Sequence, residues 1–468
     1  MLVRGGWSLA ALGVLALPPG CDVPASPAAS SGDSSVIAPA PDAERSTGTL
    51  PDSAPGWPCL LGPDGDSVSR EPNIATDWDP EGPAVKWRRS IGSGYSAPVV
   101  LANRLVLFYR QGDEEVLDCA DAESGTTRWT FRYPTSYKCP VNYSSGPYST
   151  PVLEVLPDIA NREPGTSRGA EGTRSRVYAW GAEGRLHCLD LEGGTVCWSR
   201  ALHEDYPVEP GLFPVAASPL LVGDRLIVQV GARSVGAGVI AIDKWTGRTL
   251  WTATHDVPSC ATPVAATIHG RQYVFVWTAQ HLTALDPAAG QVSWQIPFSA
   301  NNPQTIHATS PIVSGDTVLV SGYQLGCLCV RVLQRGHYEE LWRGGKDYLD
   351  SQYNNLLCRD GYVYGFGTVR GSLRCVELAT GRLAWTWKSQ LRRAASIGVA
   401  DRLLLFDEQG RLASVRVSPA GCERVAMTAR GLLAGRCFTA PALSRGLLYL
   451  RNEEELLCVD LRGEMSYP

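Results

Sequence analysis

The sequence predicts an all-β protein, an eight-bladed β-propeller of four-stranded blades closed by pairing of its N- and C-terminal strands. Three observations predict it. A Trp-tipped motif recurs every 40 to 70 residues. A small residue followed shortly by Pro opens six of the units. The segments between carry the short alternating runs and tight turns of strands. Repeats of this length with strand patterning stack as blades, each burying its face on the next.

The first motif copy is Cys119-Ala-Asp121-Ala-Glu-Ser-Gly125-Thr-Thr-Arg-Trp129; others end at Trp198, Trp251, Trp294, Trp342 and Trp385. Four share one layout before the Trp: Cys188/Asp190/Gly194, Ala241/Asp243/Gly247, Ala284/Asp286/Gly290 and Cys375/Glu377/Gly381. The copy at Trp342 is degenerate, a seventh at Val415–Val425 loses the Trp, and an eighth runs off the end after Cys458-Val-Asp460. Each feature has a physical reason. Gly permits the positive φ of a tight reversal. The acid accepts backbone N–H groups in that turn. The Trp lies over the neighbouring blade, and truncating one is expected to cost about 3–5 kcal/mol.

Six blades open with a signature: Ser96-Ala-Pro98, Ser149-Thr-Pro151, Ala217-Ser-Pro219, Ala261-Thr-Pro263, Thr309-Ser-Pro311 and Thr439-Ala-Pro441. Pro at a strand's start removes no ladder donor that is needed. In blade one the expected strands are 96–102, 104–110, 115–121 and 127–133. Seven blades have full strand sets; the last, Thr439–Leu461, has three. Ala84-Val-Lys-Trp87 supplies a lone Trp-bearing strand that completes it and removes a free sheet edge. Seven blades would follow if the Trp-less copy were not a full blade.

Residues 1–21 read as an export signal: Arg4 precedes a short apolar run, Trp7–Leu17, which ends at Pro18-Pro19-Gly20-Cys21. Gly before Cys resembles a bacterial lipoprotein signal, with lipid attached at Cys21; simple secretion is the alternative. Residues 22–56, rich in Pro, Ala and Ser, form an expected disordered tether, and 57–468 the propeller. The net charge of −5 gives no cue for nucleic acid. Of fourteen cysteines, Cys119, Cys188, Cys375 and Cys458 fill a slot that elsewhere holds Ala, so they read as packed thiols, and Cys327 and Cys329 share that role. One or two bridges are allowed among Cys59, Cys139, Cys197, Cys260, Cys358, Cys422 and Cys437. No metal site is expected.

The copies Ala241-Ile-Asp243-Lys-Trp-Thr246-Gly247-Arg-Thr-Leu-Trp251 and Cys375-Val-Glu377-Leu-Ala-Thr380-Gly381-Arg-Leu-Ala-Trp385 resemble the repeat of the pyrroloquinoline-quinone (PQQ) propeller superfamily. Gly56-Trp57-Pro58 through Gly62-Pro63 to Ser69 resembles the opening of PQQ-like propellers of planctomycete-type bacteria. The resemblance implies the fold across about 57–462. It leaves function open among quinoprotein dehydrogenases, the propeller lipoprotein of outer-membrane β-barrel assembly, and other extracytoplasmic proteins. The dehydrogenases use adjacent cysteines, a calcium site and a catalytic Asp; this chain has no Cys-Cys pair, no Cys-x-x-Cys-His haem site and no recognisable calcium run. No hydrolase or nucleotide-binding signature appears.

The expectation is therefore a periplasmic or extracytoplasmic, lipid-anchored scaffold or binding protein of the cell envelope, with no catalytic residue assigned. It would act as a monomer, contact membrane only through its anchor, and bind envelope proteins rather than nucleic acid. No cofactor is expected, although PQQ is possible. The alternatives are a PQQ-dependent dehydrogenase and a ligand- or glycan-sensing propeller. The long loops from an outer strand to the next inner strand gather on one face. Around that mouth the candidates are Tyr95, Tyr148, Asn302, His307, Asp347, Asp350, Tyr353 and Arg393.

Overall fold

In a computed structural model the structure describes residues 36–37, 56–156, 175–209, 211, 213–300, 307–367 and 371–463. Eight antiparallel sheets, each with four blade strands, form the propeller. Blade one runs Val99–Leu101, Arg104–Gln111, Glu114–Asp121 and Thr127–Pro134, close to the expected strands except that the inner one is shorter. In six blades the inner strand starts directly after the signature Pro, for example at Val152, Leu220 and Ile312. The last blade joins Ala442–Ser444, Leu447–Arg451 and Glu455–Asp460 to Val85–Ser90. Cys458 pairs with Trp87, so the two ends of the ring share one sheet.

The repeated motif is a joint between blades. In the seven Trp-bearing blades the slot residue pairs across the sheet with its Trp, as Cys119 with Trp129 and Ala241 with Trp251, and a bulge follows immediately. The indole then crosses to the next blade. Trp129, Trp198, Trp251, Trp342 and Trp385 donate Nε1–H to the carbonyls of Leu191, Lys244, Pro287, Leu378 and Ser418 at 2.8–3.0 Å. Each acceptor stands three places after its blade's slot. The motif Gly sits beneath that same ring with φ near +70°; a Cβ on Gly290 would meet Trp251 at 2.5 Å. The acid holds the turn: Asp243 Oδ1 accepts the N–H groups of Trp245 and Thr246.

The three remaining acceptors find other donors. Ala122 takes the Tyr449 hydroxyl at 3.0 Å, Val332 takes His269 Nε2 at 3.0 Å, and Leu461 takes the Ala75 N–H at 2.7 Å. All eight carbonyls are thus satisfied, as partly buried backbone acceptors must be. The degenerate copy explains one substitution. In blade five Cys329 fills the slot opposite Trp342, but three extra residues lengthen its turn. Trp294, from blade four, loses its Gly and carbonyl there; it packs on Tyr338, its indole N–H unpartnered.

A second zipper runs around the axis at the signatures. The N–H groups of Ala97, Thr150 and Ser218 donate to the hydroxyls of Thr150, Ser218 and Thr262, one blade on, and Ser310 N–H donates to Asn355 Oδ1. At the closing seam Arg451, 1% exposed, donates to the carbonyls of Gly92, Gly94, Ser96, Phe108 and Asn452. It rivets blade eight to blade one through its donors. All thirteen described cysteines are free. The bridges allowed among the seven outside the slots do not form, while the slot thiols and Cys327 are buried as small apolar groups.

The Trp57–Ser69 segment has a role its sequence did not disclose. It crosses the centre of the ring. Gly56–Trp57 pairs with blade one's inner strand, Pro58 accepts Leu153 N–H of blade two, Leu61 packs in the core of blades four and five, and Val68–Ser69 runs parallel to blade seven's inner strand, Ala395–Val399. Gly62 is required here, since a Cβ would strike the Trp57 ring at 2.9 Å. This segment plugs the channel from one side.

Candidate functional site

A cavity of about 450 Å³ opens at the face where the outer-to-inner loops converge. Its wall follows one rule. The residue immediately before each inner-strand signature, or its equivalent in blades six and seven, faces the cavity in every blade. Blades one, two, six and eight place Tyr95, Tyr148, Tyr353 and Phe438 there; blade seven places Arg393. Blades three, four and five place the small residues Ala216, Cys260 and Ala308. Leu60 of the plug completes the lining, so the site is a cup rather than a through-channel.

The aromatic half is continuous. Tyr95 and Tyr148 have ring centroids 4.7 Å apart, Tyr95 and Phe438 5.6 Å, and Phe438 and Tyr353 5.1 Å. Two loop residues extend it: Tyr143, 41% exposed, lies 5.8 Å from Phe213 and 6.3 Å from Phe438. Backbone contacts fix the rings, since Tyr95 Oη accepts Ser144 N–H and Tyr148 Oη–H donates to Ser144 O. Burial pushes the Tyr95 phenol up to about 12, so it stays a neutral donor.

Arg393 is the charged residue of the wall. Its φ is +40°, its guanidinium pairs with Glu408 at 2.5 Å and donates to Gln352 Oε1 at 2.8 Å, and it lies over the rings of Tyr353 and Phe438 at 5.9 and 5.8 Å. It also borders a second cavity of about 430 Å³ between blades six and seven, which Glu408 lines.

The structure therefore brings together Tyr95, Tyr148, Tyr353 and Arg393 from the sequence candidates. Asp350 stands behind the wall, buried, where its Oδ1 accepts Gln324 N–H and so positions a lining residue. His307 is also behind the wall: 1% exposed, stacked on Trp277 at 4.0 Å, with burial pushing its imidazole down to about 4. Asp347 is exposed on its loop and does not line the cavity. Asn302 and Cys21 lie outside the described residues. Sequence reasoning missed Phe438, Tyr143, Phe213 and Gln324. The place before the signature would have flagged Phe438; nothing periodic marks the other three.

The model of a family described as outer membrane protein assembly factor BamB matches residues 113–387. Among solved structures, BamB from Moraxella catarrhalis is similar at 17% identity and TM-score 0.56, covering 81% of this chain and 100% of that one. The quinohemoprotein alcohol dehydrogenase from Comamonas testosteroni is similar at 15% identity and TM-score 0.56, covering 88% and 82%. The computationally designed protein Ika8 reaches TM-score 0.53 at 12% identity, covering 81% and 100%. At these identities the likenesses show the fold alone. No curated sequence is significantly similar to the chain.

The cavity does not fit an anionic quinone held beside calcium. Among the described residues no three His, Cys, Asp or Glu side chains converge as metal ligands, and the wall's cation, Arg393, is already paired with Glu408.

Proposed function

The chain belongs to the family of the outer membrane protein assembly factor BamB, and from that premise we propose that it is an exported binding scaffold of the cell envelope, held there by lipid on Cys21. Binding rather than catalysis is its work, and the mouth is its binding surface. One observation carries this reading: eight equivalent positions, one per blade, converge on a single cup and hold five different residue types, from Ala and Cys to Tyr, Phe and Arg. A position needed only for folding would repeat, as the motif Trp and Gly do. Half-exposed aromatic rings gathered on a rigid frame form the sort of patch that marks a recognition site.

Two measurements test it. Cys21→Ser should move the protein out of the membrane fraction; retention there would remove the lipid anchor from the account. Affinity capture of the full chain from solubilised membranes should recover envelope components, and Phe438→Ala should reduce their yield. Capture that is empty, or indifferent to the mouth, would refute the scaffold reading.

A further inference from the structure

The cup is built asymmetrically, and the asymmetry points to a ligand class. At the positions before the signatures, aromatic rings stand on the side of blades six, eight, one and two, while blades three, four and five place small side chains there, with Tyr323 and Gln324 of blade five adding a ring and an amide beside them. The cup thus joins a ring platform to a wall of mostly small side chains that carries the Tyr323 hydroxyl and the Gln324 amide. The polar groups on the lining include the Gln324, Gln352 and Asn355 amides and the Tyr323 hydroxyl, neutral groups that both donate and accept. Arg393, the one charged lining residue among the described ones, is neutralised by Glu408. A charged ligand would have to displace that pair, so the site suits an uncharged molecule.

An extended peptide is disfavoured by the backbone. Strand addition needs free N–H groups, and those of Ala97, Thr150, Ser218 and Ser310 at the heads of the inner strands are engaged by the next blade. A pyranose meets the remaining requirements. One face presents polarised C–H groups, which suit the negative face of an aromatic ring. Its edge carries hydroxyls that need paired donors and acceptors at the same sites. A cavity of about 450 Å³ accommodates a unit of disaccharide size.

We propose that the mouth binds a neutral oligosaccharide end, stacked on the Tyr95–Phe438–Tyr353 side of the cup. This rests on the reading of the mouth as the binding surface and specifies what it takes. The test is calorimetric titration of the detergent-solubilised full chain with three probes: cellobiose, N,N′-diacetylchitobiose and maltose. A proline-rich decapeptide is the competitor class, since aromatic grooves also take such segments. Saturable binding of at least one saccharide with Kd below about 1 mM is expected. Tyr143→Ala and Phe438→Ala should each weaken it at least about tenfold. Tyr143 is half-exposed, so its removal leaves the thermal midpoint in place and separates lost binding from lost folding. No saccharide binding at about 10 mM, binding untouched by both substitutions, or binding of the decapeptide alone would overturn the proposal. If membrane capture still depends on Phe438 while all saccharides are silent, only the sugar assignment falls and the scaffold reading stands.

Discussion

At the rim of the ring every blade presents the same backbone carbonyl and has it satisfied; at the mouth no such repetition holds. The rim carbonyl three places past the slot is satisfied in all eight blades, by an indole in five and by His269, Tyr449 or the Ala75 amide in the others. Where the Trp is lost, displaced or, like Trp87, in place over its Gly without using its N–H, a different group occupies the acceptor, so the requirement belongs to the buried carbonyl rather than to the Trp. The mouth positions, equally periodic in space, hold Tyr, Tyr, Ala, Cys, Ala, Tyr, Arg and Phe in blade order. Repetition at the rim reports folding; on the proposed function, variation at the mouth reports recognition, because packing constraints are the same in each blade whereas a ligand has only one shape.

The comparison breaks most visibly at Gly290. Gly290→Val forces a branched side chain into φ +70° and against the Trp251 ring. We expect a loss of about 4 kcal/mol or failure to fold, measured by denaturant unfolding. Gly336→Ala, in the degenerate turn, also takes a positive φ but clashes only with the flexible end of Arg271 and should cost about 1 kcal/mol.

Acid tests the buried histidines, His187 at the seam of blades one and two and His307 behind the mouth. Burial pushes them down to about 3 and about 4 from an ordinary 6.5. The unfolded chain therefore takes up protons that the folded chain refuses. Their contribution is full above pH 6.5 and drains away as the pH falls toward the folded values, by up to about 3 kcal/mol for His307 and about 5 kcal/mol for His187. Thermal midpoints should drop between pH 6.5 and 4, and His307→Phe should flatten part of that slope. A slope unchanged by the substitution would contradict the assignment.

A smaller contrast compares two seams with equal chemistry and unequal partners. Trp251→Phe strands the Pro287 carbonyl, whereas Trp294→Phe removes an indole N–H that has no partner. The first should cost about 1 kcal/mol more than the second; equal costs would show that the indole hydrogen bonds are incidental. Least of all, Tyr143→Ala should leave stability unchanged within about 0.5 kcal/mol.

The fold was legible because its determinants recur. Slot, acid, Gly and Trp stand at fixed offsets, and the lone Trp87 strand could be matched to the incomplete last blade. The plug was not legible, since Trp57–Ser69 occurs once and periodicity is silent about single segments. At the mouth, Tyr95, Tyr148, Tyr353 and Arg393 could be placed because they adjoin the inner-strand starts. His307 and Asp350 are near-neighbours of the same starts, but backbone alternation turns them behind the wall. Tyr143 and Phe213 reach the cup through loop geometry, which no spacing encodes.

The central claim is that contact with the envelope is made at the mouth and not at the rim. Tyr143 and Leu250 make a matched pair, 41% and 43% exposed, one at the mouth and one on blade three's outer strand. A benzophenone side chain installed at each position in turn, and irradiated in intact cells, should yield an envelope adduct from position 143 and none from position 250. Adducts from the rim alone would contradict the account.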